Sequence, residues 1–154
     1  MTDVRRASAD DAEVLARMLW DFNTEFETET DDADVLAARF ARLLPLDEIV
    51  AVLAEDGGEP VGFALVSLRP AIWFDGPVSQ LEELYVVPHL RDHGIGTQVL
   101  DLCRSIAAEK GSPEMHIGVD EVDTDTRRFY ERHGFVNVEA GADYRMLCYV
   151  GPTA

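Results

Sequence analysis

Leu84-Tyr85-Val86-Val87-Pro88-His89-Leu90-Arg91-Asp92-His93-Gly94-Ile95-Gly96-Thr97 is the stretch that decides the fold. An apolar strand-type run stops at Pro88, and a basic, glycine-bearing turn then opens a helix. Val99, Leu100, Cys103, Ile106 and Ala107 recur at helical spacing as far as Gly111. The first backbone N–H groups of a helix have no partner within it and carry its positive dipole end. Gly94 and Gly96 lack a Cβ, so an anion can approach those groups closely, and Arg91 adds a cation beside them. The junction therefore predicts a cradle for a diphosphate. A dinucleotide fingerprint would need glycine where Val99 stands, and a phosphate loop of the Walker type would need a lysine that is missing here.

On either side the pattern gives an order of elements. A weak strand surrounds Val4. Ser8 followed by Asp11 reads as a capping-type helix start, and Leu15, Met18, Leu19, Phe22 and Phe26 form one apolar stripe. An acidic loop with Glu25, Glu27, Glu29, Asp31 and Asp32 leads to a second helix marked by Leu36, Phe40, Leu43 and Leu44 and ending near Pro45. Ile49 to Ala54 and Val61 to Leu68 are β-type runs around a Glu55–Glu59 hairpin turn. Pro70 to Pro77 is a loop holding Trp73 and Phe74, and Leu81 to Val87 is a third strand. After the glycine helix come a strand at Met115 to Val119 and a helix from Thr124 to His133. A weak strand near Val136 and a last one at Tyr144 to Val150 complete the expected order. No repeat or linker interrupts residues 1–154, so a single domain is expected.

Charge limits the partners. Thirteen basic residues face thirty acidic ones, for a net charge of −17, and Lys110 is the only lysine. Such a surface repels phosphate backbones, which argues against nucleic acid, and it attracts cations. A general adaptation of the whole surface for solubility would look the same. No apolar run approaches the roughly 18 to 20 residues that cross a bilayer, and the N-terminal residues show no secretory pattern. Cys103 and Cys148 have no ligand-like spacing and read as reduced thiols. A cytoplasmic protein without a membrane or nucleic-acid partner is expected.

The run Arg91-Asp92-His93-Gly94-Ile95-Gly96, preceded by Leu84-Tyr85-Val86-Val87-Pro88, resembles the (R/Q)-x-x-G-x-(G/A) motif of the GNAT N-acetyltransferases. It departs in Asp92, where the family often has glycine. Phe129-Tyr130-Glu131-Arg132-His133-Gly134-Phe135 is similar to the family's F-Y-x-x-x-G-F ending. The resemblance is close over the last half of the chain and extends as element order over nearly all of it. It implies an α/β (α+β) single-domain GNAT-like fold, with a central mixed, mostly antiparallel sheet flanked by about four helices. It also implies acetyl-CoA as cosubstrate and acetyl transfer to a primary amine by direct attack. Leu84, Tyr85 and Val86 would then offer backbone groups to the pantetheine arm. Arg91, Asp92, His93, Gly94, Ile95, Gly96 and Thr97 would surround the diphosphate. Asp123 falls where many members place an Asn against the pantetheine. Members are often dimers, and the sequence does not decide between one copy and two.

Tyr130 would be the acid that protonates the departing thiolate, since a phenol with pKa near 10 matches a thiolate of similar basicity. The amine arrives as an ammonium and must lose a proton, which needs a base. Glu82 and Glu83 are the nearest carboxylates in sequence. Strand alternation sends them to opposite faces unless a bulge intervenes. Leu81-Glu82-Glu83-Leu84-Tyr85-Val86 is similar to the L-E-D-L-Y-V strand of spermidine/spermine acetyltransferases, whose substrate-binding glutamate matches Glu82, so Glu82 is favoured as amine anchor or base over Glu83. Phe26, Glu27 and Trp73 join Glu82 and Glu83 as expected acceptor contacts, because carboxylates and aromatic faces suit a cationic amine. A small polyamine or aminoglycoside-like acceptor is expected. Acetylation of a protein lysine or N-terminus, and a catalytically silent acyl-CoA-binding module, are the alternatives. His89, His93, His116 and His133 lack ligand spacing on a helix, and no metal is expected.

Overall fold

The computed structural model describes residues 1–154. Five strands lie in the order β1-β2-β3-β4-β5: Thr2–Arg6, Ile49–Asp56, Glu59–Arg69, Val78–Val86 and Met115–Ile117. The first three pairings are antiparallel and β4–β5 is parallel, which makes the sheet mixed and mostly antiparallel. β2 and β3 fold back on Gly57 and Gly58, whose φ values of 59° and 87° meet the demand of a tight hairpin for two left-handed residues.

Helices α1 (Ala12–Glu25) and α2 (Ala33–Leu43) cover one face of the sheet. Leu15, Met18, Leu36 and Phe40 pack there with Leu53, Phe63 and Tyr85. The alternate positions Val50, Val52 and Val66 are equally buried, and α3 (Ile95–Glu109) packs on the sheet with Val99, Leu100 and Cys103 fully enclosed. Each such side chain contributes roughly 1.5–3 kcal/mol of burial. Burial also pushes the Cys103 thiol up to about 12, so it stays protonated. The start of α1 is fixed electrostatically. Arg5 on β1 grips Asp11 with two bonds of 2.9 Å and Glu55 with one of 3.1 Å. The Asp11 carboxyl, which also accepts the Ser8 N–H at 2.8 Å, is thereby held below its ordinary range.

The chain forms two compact units, Met1–Ile117 and Gly118–Ala154. The second contains α4 (Thr124–Arg132), capped by Asp123, whose Oδ1 accepts the Thr126 N–H at 3.2 Å. The two strands expected near Val136 and at Tyr144–Val150 do not form. A strand exists only through a ladder of backbone bonds to a neighbour. A bond of 2.6 Å from Met146 N–H to the Asn137 carbonyl ties this segment without growing into a ladder. No helix is long and apolar enough to cross a membrane.

Candidate active site

The β4 strand carries the first irregularity. Its register against β3 pairs Leu65 with Glu83 and Val66 with Leu81, leaving Glu82 as an extra residue in a bulge. The simple alternation that would send the two carboxylates to opposite faces is interrupted at that point. Glu82 is exposed, and its Oε1 accepts the Ser67 hydroxyl at 2.6 Å. Glu83 is half-buried, and desolvation, reinforced by the Glu82 charge, pushes its carboxyl up to about 7. A carboxylate that titrates near neutrality is suited to exchange protons with an amine.

Beyond the bulge, β4 loses one neighbour. β5 pairs with it only at Ser79, Gln80 and Leu81, so the edge from Glu82 to Val86 has no strand beside it on that side. Leu84, Tyr85 and Val86 are therefore placed where an extended ligand could add to the sheet edge. The chain then runs through a short 3-10 turn at Pro88–Leu90 into the head of α3. Gly94 is the N-cap, with φ 84° and nothing within 4 Å of where a Cβ would stand. The way to the amides of Ile95 and Gly96, which lack carbonyl partners within the helix, is thus free of side-chain bulk. His93 and Asp92 are exposed, and His93 Nδ1 lies 2.6 Å from the Arg91 carbonyl. Asp92 has φ 63°, which explains structurally why glycine suits this position. Thr97 follows in the first turn of α3. These residues fit a diphosphate.

Arg91 stands apart from the other cradle residues. Its Nε donates to the Val86 carbonyl at 2.9 Å, and its two Nη atoms grip Glu25 at 2.6 and 2.8 Å. The sequence gives no local signal for this pairing, because Glu25 is the last residue of α1. Phe26 follows it, largely exposed, and Glu27 opens the α1–α2 loop at φ 55°. Phe26, Glu27 and Arg91 thus fall in one neighbourhood. Trp73 lies elsewhere on the first unit, 85% exposed in the β3–β4 loop. It borders an open depression of about 550 Å³ shared with Arg69, Phe74, Glu114 and His116, whose lining includes neither Glu82 nor any residue of the α3 turn.

In the second unit Tyr130 is buried, edge-on to Phe129 and Phe135 at 5.2 and 5.7 Å between ring centroids. Asp123 uses one carboxylate oxygen to cap α4. No group of three or more His, Cys, Asp or Glu side chains is gathered as a metal ion would require.

Comparison with known proteins bears on this geometry. The acetyltransferase (GNAT) family profile matches residues 13–135. The uncharacterized N-acetyltransferase YhfO of Bacillus subtilis strain 168 is 26% identical over 133 residues, covering 86% of this chain and 89% of that protein. Aminoglycoside N(6')-acetyltransferase type 1 of Klebsiella aerogenes is 34% identical over 98 residues, 62% of either chain. The crystal structure of a putative acetyltransferase from Arthrobacter sp. FB24 superposes with a TM-score of 0.90 at 42% identity, covering 97% of this chain and 95% of that one.

Proposed function

The chain belongs to the GNAT family of acetyltransferases, and from that premise we propose that residues 1–154 act as one catalytic domain that acetylates a small cationic amine, such as a polyamine or an aminoglycoside. The observation that carries the acceptor class is the Glu82–Glu83 pair on the bulged strand: one exposed carboxylate beside one whose proton is exchangeable near pH 7. The likeness to an aminoglycoside acetyltransferase supports the same class.

Bound acetyl-CoA would supply the thioester carbonyl that an amine attacks and the thiol that departs. The amides of Ile95 and Gly96 would hold its diphosphate, with the exposed turn at Asp92 and His93 alongside, and the Leu84–Val86 edge would hold its pantetheine arm. Glu82, fixed by Ser67, anchors the ammonium by charge. Glu83 accepts the ammonium proton at its carboxylate, which frees the nitrogen lone pair for attack. Tyr130 is assigned the proton given to the departing sulfur from its place in the F-Y-x-x-x-G-F motif alone; its Oη regains a proton from solvent, and solvent takes up both the nitrogen's surplus proton and the one held by Glu83.

The test is CoA release across an amine panel of spermidine, kanamycin and a lysine-containing peptide. Release with spermidine or kanamycin and little with the peptide is expected; the reverse order would replace this acceptor class. Tyr130→Phe should lower kcat about 100-fold or more while acetyl-CoA affinity in calorimetry stays within twofold. Unchanged turnover would remove Tyr130 from the mechanism.

A further inference from the structure

Arg91 occupies the motif position next to the diphosphate cradle, yet the rest of its surroundings point away from phosphate. Its fork is spent on a bidentate pair with Glu25 and its Nε on the last carbonyl of β4, Val86. The guanidinium also lies 5.6 Å from the centroid of the Tyr85 ring and 5.8 Å from that of Phe26. Those rings belong to one row: Tyr85 stacks on Phe22 at 5.1 Å, and Phe22 meets Phe26 edge-on at 5.4 Å. One side chain therefore joins the end of β4, the turn before α3 and the end of α1. We infer that Arg91 is a positioning residue, which pins the α1 end and the acidic α1–α2 loop to the edge of the cosubstrate cradle and so sets acceptor affinity, and is not a side-chain ligand of the diphosphate.

Electrostatics favour that role. Glu25 sits at the C-terminal, negative end of α1, where an unpaired carboxylate is repelled by the helix dipole. Glu27, Glu29, Asp31 and Asp32 follow it, and in the loop the facing cation is Arg39, 2.7 Å from Asp31. Removing the Arg91 charge would leave Glu25 among like charges and release the loop. The pair is about one-third exposed on both sides, so it is less screened than a pair in open solvent. A planar fork making three bonds and two ring contacts is not replaceable by a point charge, so lysine should substitute poorly. Its charge already neutralised by Glu25, the guanidinium adds little attraction toward a diphosphate, and the helix-end amides supply the anion site.

The inference rests on the acetyltransferase reading only for its acceptor arm, so the test begins without any acceptor. Amide hydrogen exchange over residues 23–32 should accelerate about tenfold or more in both Arg91→Gln and Glu25→Gln, with the double variant no faster than either single one. Calorimetric CoA affinity should stay within twofold of wild type in both. With spermidine or kanamycin as the acceptor, KM should rise about tenfold in both variants with kcat little changed. Arg91→Lys should resemble Arg91→Gln rather than wild type. Loss of CoA affinity in Arg91→Gln but not in Glu25→Gln, with exchange of the loop unaltered, would make Arg91 a phosphate ligand and overturn the inference. An acceptor panel that stays silent would sink the proposed substrate class and leave the exchange and calorimetry to decide this one.

Discussion

Two seven-residue runs of this chain look alike on paper. Leu81-Glu82-Glu83-Leu84-Tyr85-Val86-Val87 and Tyr144-Arg145-Met146-Leu147-Cys148-Tyr149-Val150 are both rich in β-branched, aromatic and long apolar residues. The first supplies most of β4, paired with β3 along its length and with β5 at one end. The second forms no strand, and Tyr149 and Val150 are 89% and 95% exposed. Residue type gives a segment the capacity to be a strand; a partner in register with a covered face makes it one. The comparison also separates roles, since the paired run carries the two candidate carboxylates.

The largest effect should come from attacking the paired run at its most enclosed apolar side chain. Leu81 is 4% exposed at the point where β4 meets both β3 and β5. Leu81→Ala should cost about 2–5 kcal/mol in urea unfolding, through lost burial and the cavity left behind. A cost below about 1 kcal/mol would mean that β4 is held no better than the unpaired run.

Next in size is the functional difference. Glu83→Gln should lower kcat/KM about 100-fold at pH 8 and remove the ascending limb of the pH profile near 7, because the wild-type base must be ionised to accept a proton. The stability sign is opposite. Glu83 titrates higher in the folded chain than its ordinary 4.5, so the folded state binds the proton more tightly than the unfolded one. That contribution is full below about pH 4.5 and is lost as pH rises through about 7. Glu83→Gln should therefore stabilise the protein at pH 8 by on the order of 2 kcal/mol, allowing for solvent screening, and leave it nearly unchanged at pH 4. An unaltered pH profile would return the base role to Glu82 or to water.

These residues also mark how far the sequence could be read. The junction from β4 to α3 was legible because its determinants are local: a proline stop, a glycine N-cap and an apolar stripe at helical spacing. The family motif placed Asp92, and the structure adds that its φ of 63° is the reason glycine suits that position. The bulge was not legible, since it is set by how β3 pairs with β4 and not by β4 alone. The partner of Arg91 was hidden for the same reason: Glu25 lies sixty-six residues away in sequence, and only the packing of α1 on the sheet brings them together. The acidic loop is legible as a cluster of charge, whereas the Arg91–Glu25 pair at its start is not.

The smallest expected effect lies at the far end of the unpaired run and tests whether exposure there is what it looks like. Tyr149 has most of its surface in water, so replacing it removes little buried area. Tyr149→Ser should shift stability by less than about 0.5 kcal/mol, the range of substitutions on open surface. Thermal unfolding at several protein concentrations makes the measurement decisive. A loss of more than about 2 kcal/mol, or a midpoint that falls on dilution only in the wild type, would show that residues 144–150 find a strand partner in solution. The difference between the two runs would then be one of which chain supplies the ladder, and pairing would remain the cause of order in both.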